Sequence, residues 1–209
     1  PYMWGYAMLF SFLMALMLTT YLRGLSPGRG ALLRTQIGVL ALATGLLVAA
    51  KTFLLLTPFP AHVIPVAAMS IWAALFLDRR TALIVGLAMA FFAASLVGFR
   101  LSTAAVYLAT SVATVITLGE KKKGLRIVQS GVVAAAAAAG VYVASRVIFE
   151  GYFDLWVELA DPWTSPMLAS IVGGLGSGLS AWALSGVAVV VLGSVSRARL
   201  VELSDLDQP

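Results

Sequence analysis

The sequence predicts an all-α integral membrane protein, a seven-transmembrane-helix bundle with its N-terminus outside and its C-terminus in the cytoplasm. Three observations carry this expectation. Hydrophobic residues fill 61% of the 209 positions and charged residues only 11%, where a soluble domain carries about a quarter charged; mean hydropathy is +0.98. The apolar residues gather into seven runs near the ~20 residues that cross a bilayer as a helix. Lysine and arginine are segregated onto alternate connections, the positive-inside signature of a polytopic membrane protein.

The first run spans about Tyr2 to Leu22, with Trp4, Tyr6 and Tyr21 suited to the aromatic belts at the membrane surface. Pro27, Gly28 and Gly30 then break the helix among three arginines. The second run, about Thr35 to Leu56, ends at the turn TPFP. The third, about Ala61 to Leu77, is short and carries Pro65 in its first turns, where the missing N–H costs a helix little. Asp78, Arg79 and Arg80 make a tight connection to the fourth run, about Thr81 to Phe99, and a second tight turn at Arg100 leads to the fifth, about Leu101 to Leu118. The polar loop GEKKKGLR precedes the sixth, about Ile127 to Phe149. The longest connection, Glu150 to Pro166, precedes the seventh, about Met167 to Val195. These runs are continuously apolar and lack the alternation of a barrel strand, and in lipid only helices or closed barrels satisfy their own backbones.

Charge sets the orientation. Connections after the first, third and fifth runs, with the tail, hold eleven of the fourteen Lys and Arg residues. The other side keeps Lys51, Arg100 and Arg146 with the acidic loop of Glu150, Asp154, Glu158 and Asp161. The first side is therefore cytoplasmic. Residues 1–196 form the membrane domain and residues 197–209 a cytoplasmic helical linker. The chain opens on Pro1 without a signal-peptide pattern, so both ends are expected to continue into a longer protein.

Several chemistries are excluded. There is no cysteine, hence no disulfide or thiolate site. One histidine, His62, cannot build a metal centre or a catalytic triad without partners, and the carboxylates fall in loops or the tail rather than within helices. No catalytic residue, metal ligand or cofactor is assigned to this chain. The net charge of +5 sits at helix ends rather than on an aromatic-lined basic surface, which excludes nucleic acid as a partner. The glycine-rich IVGGLGSGLSAW lacks the GK[ST] ending and preceding strand of a phosphate loop. Within lipid, Gly174, Ser177 and Gly178, like the alanines 134–139 beside Gly140, instead form thin helix faces for close packing or dimerisation.

The candidate ligand-binding residues are the polar groups at the outer helix ends: Lys51, His62, Arg100, Arg146 and Trp163. Each has a bland alternative. Lys51 is placed to snorkel to the headgroups, and His62 is a polar residue at a helix start. Arg146 pairs with Glu150 at i,i+4 on a solvated rim, and Trp163 belongs to an aromatic belt.

The tail reads RARLVELSDLDQP, with Arg197 and Arg199 forming a basic collar before an apolar spacing of Leu200, Val201, Leu203 and Leu206. Leu200, Glu202, Leu203, Ser204, Leu206, Gln208 and Pro209 match the segment "kLLELsdlnqPLL" that follows the last membrane helix in bacterial seven-helix membrane receptors with an intracellular HD phosphohydrolase domain. IPVAAMSIWAALFLDRRTAL, residues 64–83, resembles that family's third span, inner turn and fourth span. The resemblance covers most of the chain and is specific over about ten residues. It implies a parent protein similar to cyclic-di-AMP phosphodiesterases of the bacterial cytoplasmic membrane, with an extracellular domain before the bundle and a two-metal HD hydrolase after it. Divalent metals are then expected only in that hydrolase domain. The membrane domain would relay the state of a small ligand through the seventh helix and an output linker formed by Arg197, Arg199, Leu200, Glu202, Leu203, Leu206 and Pro209. Its partners would be the bilayer, the flanking domains, an unidentified small ligand and a second copy of the chain. Two other classes stand beside this reading: a transporter or substrate-capturing membrane subunit, which needs a polar cavity with broken helices, and a passive anchor.

Overall fold

The computed structural model describes residues 33–118 and 124–192, and all regular structure in them is helical. The first hydrophobic run, most of the GEKKKGLR loop and the output linker lie outside the described residues. The helices are α1 (Leu33–Leu56), a 3-10 turn (Ala61–Val63), α2 (Ala67–Phe76), α3 (Arg79–Leu96), α4 (Leu101–Leu118), α5 (Gly124–Glu150), α6 (Leu155–Ala160), α7 (Pro166–Ala183) and α8 (Ser185–Leu192). Four of them, α1, α3, α4 and α5, are individually long and apolar enough to cross a membrane, and the bent pair α7–α8 counts as a fifth if it is one span.

Lipid as the solvent shows in which residues are inside. On α7 the buried face is Ala169, Ser170, Gly173, Gly174, Ser177, Gly178 and Ala181, while Val172, Leu175, Leu179 and Trp182 point outward. On α3, Ala82, Gly86, Ala90 and Ala93 are buried and Leu87 is exposed. Hydrocarbon exerts no hydrophobic force on a leucine, so helices associate through small residues that bring backbones together. The closest approach is α5 against α7. A Cβ on Gly174 would lie 2.4 Å from the Cα of Ala135, and one on Gly178 would lie 2.8 Å from the Cα of Gly131. Gly131, Ala134 and Ala135 of α5 therefore pack on Gly174 and Gly178 of α7 within one chain, while Gly140 stays exposed with nothing within 4 Å.

Two expected spans are broken rather than continuous. In the third, Pro65 does not sit in a helical first turn. Ile64 before it is extended, with φ −63° and ψ 125°, as steric pressure from the proline ring demands. This leaves a 3-10 turn followed by the ten-residue α2. That helix lies at the centre of the bundle, with Ala67 through Ala73 all buried, touching α3, α4 and α7. The seventh run bends by 59° between α7 and α8. At the bend the indole N–H of Trp72 donates to the carbonyl of Ala181 at 3.1 Å, supplying a donor to one of the last-turn carbonyls a helix end leaves unmatched.

Remaining boundaries follow from caps. Asp78 is extended and its carboxylate accepts from the Thr81 N–H at 2.9 Å, so α3 begins at Arg79, two residues before the expected Thr81. Gly98, at φ 82°, and Phe99, at φ 50°, end α3 in the left-handed region. The Phe99 N–H reaches back to the Ala94 carbonyl at 2.9 Å, the long bond of a Schellman close. α1 is peripheral: only 17% of its apolar window is buried, and it touches the bundle through α2, α3 and α8.

Two measurements check this architecture. Gly174→Ala forces a methyl into the α5 backbone and is expected to cost about 1–3 kcal/mol, whereas Gly140→Ala meets nothing within 4 Å and should leave thermal unfolding in detergent almost unmoved. The native chain lacks cysteine, so single cysteines report topology cleanly. Tyr152→Cys is expected to react with an impermeant maleimide on intact cells, and Arg80→Cys, exposed at the other end of α3, only after permeabilisation.

Candidate functional site

At the end of the bundle that carries Arg100, opposite Arg79 and Arg80, four pieces of chain converge on a cavity of about 400 Å³. They are the 3-10 turn, the start of α4, the last turns of α5 and the start of α7. The polar wall includes His62, Arg100, Ser102, Tyr142, Arg146 and Glu150, with Phe149 and Pro166 as apolar lining. This is the size range of small-molecule sites, in which a few polar groups orient a ligand.

The 3-10 turn is held by its neighbours. The phenol of Tyr107, buried on α4, donates to the Ala61 carbonyl at 2.6 Å. The His62 ring lies edge-on to Tyr142 with centroids 5.7 Å apart, and its Nε2 is 3.5 Å from the Thr103 hydroxyl. On the other side, the His62 carbonyl stands where a Cβ of Gly173 would be, at 2.2 Å. The turn therefore touches the cavity with its side chain and α7 with its backbone.

Beside the cavity a carboxylate is buried. Glu158, on α6, is 7% exposed. This corrects the expectation that every carboxylate lies in a solvated loop or the tail. Its burial is matched by two donors, the Tyr142 hydroxyl at 2.7 Å and the Ser165 hydroxyl at 2.8 Å, and by the charge of the Arg146 guanidinium at 3.9 Å. Ser165 also accepts from the Leu168 N–H at 3.3 Å and so caps α7. Asp154 caps α6 by accepting from the Trp156 N–H at 2.9 Å, which turns Glu158 inward and leaves Trp156 exposed.

The five candidate residues separate. His62, Arg100 and Arg146 meet in the cavity, and the expected Arg146–Glu150 ion pair is present. Lys51 does not join them. Its ammonium donates to the Leu96 carbonyl at 3.1 Å, at the C-terminal end of α3, where the helix dipole and an unmatched carbonyl favour a cation. Trp163 is also outside the cavity, exposed and tilted against Phe59 at 5.9 Å. Glu158 belongs to the acidic loop that the sequence places on this side, whereas Tyr142 and Ser102 are not among the site residues expected from the sequence. A tyrosine inside an apolar run, whose hydroxyl needs a partner when buried, was the available signal for Tyr142. Among the described residues no group of three His, Cys, Asp or Glu is arranged to hold a metal ion.

The Glu158 cluster can be measured as a unit. Tyr142→Phe and Ser165→Ala each remove a donor from a buried carboxylate and are expected to cost about 1–3 kcal/mol in thermal unfolding. Their double variant should be non-additive because both act on the same group.

Comparison with known proteins agrees with this membrane architecture. Residues 2–192 match the family described as 7TM receptor with intracellular HD hydrolase. No curated protein and no solved structure matches the chain. The match takes in nearly the whole sequence, including the cavity and both broken helices, and the chain belongs to the family of 7TM receptors with an intracellular HD hydrolase.

Proposed function

We propose that this chain is the sensing membrane domain of a receptor-type HD hydrolase, and that it relays the state of the cavity to that hydrolase through α7 and α8. The observation that carries the reading is the dual contact of the 3-10 turn: the His62 ring borders the cavity while its carbonyl rests on Gly173 of α7. A displacement of the turn bears on a helix already seated, because Gly174 and Gly178, on the same buried face of α7, are in backbone contact with α5 at Ala135 and Gly131. Close-packed interfaces respond to such pushes by switching between arrangements rather than deforming smoothly. A ligand acts only through its different affinity for the two arrangements.

In this reading the cavity end faces outward and α8 leads toward the cytoplasm, which the charge asymmetry supports. The setting is a bacterial cytoplasmic membrane. The linker of Arg197, Arg199, Leu200, Glu202, Leu203, Leu206 and Pro209 carries the movement onward. The hydrolase would be a cyclic-di-AMP phosphodiesterase with its own divalent metals, as the resemblance of LVELSDLDQP implies.

The test uses the intact receptor in membranes and measures cyclic-di-AMP hydrolysis. Insertion of one to four residues after Val195 rotates the output helix by about 100° per residue and is expected to make activity rise and fall with helical phase. Gly173→Ala, which places a methyl against the His62 carbonyl, should shift the basal rate. Activity indifferent to insertion, to Gly173→Ala and to deletion of the bundle leaves only an anchor.

One observation favours a second reading. Broken helices at Pro65 and at Leu184 are a feature of transporters and substrate-capturing subunits. The Leu184 break, however, is closed by the Trp72 indole rather than opened to a cavity. Accumulation of a labelled solute in vesicles carrying the protein would support transport.

A further inference from the structure

We propose that the cavity takes a small oxyanion, a carboxylate or a phosphate group, with Arg100 and Ser102 as its ligands. This rests on the reading of the cavity as the receiving site and names the chemistry of what enters it.

The argument is a charge inventory of the cavity wall. Arg146 is already matched, by Glu150 in an i,i+4 pair and by Glu158 at 3.9 Å. Both oxygens of Glu158 are taken, one by Tyr142 and one by Ser165. Ser145 donates to the Tyr142 carbonyl at 2.7 Å, and Thr103 faces the His62 ring. Arg100 is different. Among the described residues no carboxylate lies within ion-pair distance of it and no hydrogen bond engages its guanidinium. Ser102, half-buried two residues along the same wall, likewise has no hydrogen-bond partner among the described residues.

The cavity thus holds one uncompensated cation and one unengaged hydroxyl, adjacent to each other. A guanidinium presents a planar fork of donors that fits a carboxylate or phosphate in bidentate fashion. Arg100 is exposed at the mouth of the cavity, so an anion reaches its guanidinium directly from outside. A cationic solute has no equivalent place, since both nearby carboxylates are engaged by groups of the protein itself. The volume of about 400 Å³ admits a metabolite-sized anion, and the rim position also admits the phosphate of an anionic lipid.

The experiment reconstitutes the intact receptor in nanodiscs and follows its thermal unfolding at constant ionic strength. The probes are succinate, inorganic phosphate and, as the cationic control, choline, each against chloride. In phosphatidylcholine discs, succinate or phosphate is expected to raise the unfolding temperature in a saturable way, while choline does not. Arg100→Ala should weaken that binding by about ten- to hundredfold, the loss of one charge-assisted contact, and Arg100→Lys should retain part of it. Phosphatidylglycerol discs separate the two sources. If the headgroup fills the site, these discs stabilise the native receptor over Arg100→Ala and abolish the response to the free anions. If free solutes fill it, the response to the free anions persists.

No stabilisation by any oxyanion or by phosphatidylglycerol, stabilisation by choline, or equal responses in native protein and Arg100→Ala each overturn the proposal. The measurement does not involve hydrolysis, so it fails separately from the relay. Oxyanion binding without any effect on hydrolysis overturns the relay alone. A phase-dependent hydrolase with no oxyanion binding overturns the ligand chemistry alone.

Discussion

The bilayer offers no water to an exposed peptide group, and the break at Ile64–Pro65 is the place where that constraint bears hardest. An unmatched N–H or C=O in hydrocarbon costs several kcal/mol, so irregular backbone must be wrapped by protein or border an aqueous cavity. Both conditions are met here. Local turns use what they can: Val63 donates to Pro60, Ile64 to Ala61 and Val66 to Ile64. Tyr107 contributes its hydroxyl to Ala61 from α4, and α7 covers the His62 carbonyl with a glycine. The central position of α2, the cavity beside the turn and the seat of α7 all follow from covering this one interruption.

Small residues then determine how firmly the helices are coupled. Where helices meet through long side chains, a shift at one face can be taken up by rotamers. At the α5–α7 seam the facing atoms are backbone, Gly131 against Gly178 and Ala135 against Gly174, so there is little to rearrange short of moving a helix. Lower down, the Trp72 bond to Ala181 ties the central helix to the bend that redirects the chain into α8. The 3-10 turn against Gly173 in the middle of α7 and the indole at its C-terminal end tie the cavity to α8 through rigid parts. Ser70 and Ser111, buried without a hydrogen-bond partner, flank Gly86 in the same core and show how tightly α2, α3 and α4 are drawn together there.

Much of the architecture is legible in particular residues. The run from Leu101 to Leu118 becomes α4 with the same limits, because Arg100 and the loop GEKKKGLR bound it with charge. Gly174 and Gly178 announce a close helix contact by their spacing, and Arg146 and Glu150 announce an ion pair. Pro65 was legible as a perturbation but not in its effect. A proline in a first helical turn and one after an extended residue look alike in sequence, and the contacts of the flanking turn with Tyr107 and Gly173 decided for the second. Lys51 illustrates the opposite limit. Snorkelling to headgroups and capping Leu96 are equally available to a long amine, and only the position of the α3 terminus selects the cap.

The sequence by itself determined the solvent, the helical class and which connections bear charge, because hydropathy and the positive-inside rule act on each segment independently of its neighbours. Only the tertiary structure decided that Glu158 is buried, that Gly174 and Gly178 of α7 meet α5 within one chain, and that Arg100 stands beside His62 with no carboxylate partner among the described residues. Those facts depend on pairs of residues far apart in the chain. A carboxylate, a glycine or a guanidinium acquires its energy from what the fold places opposite it, and no local pattern records that partner.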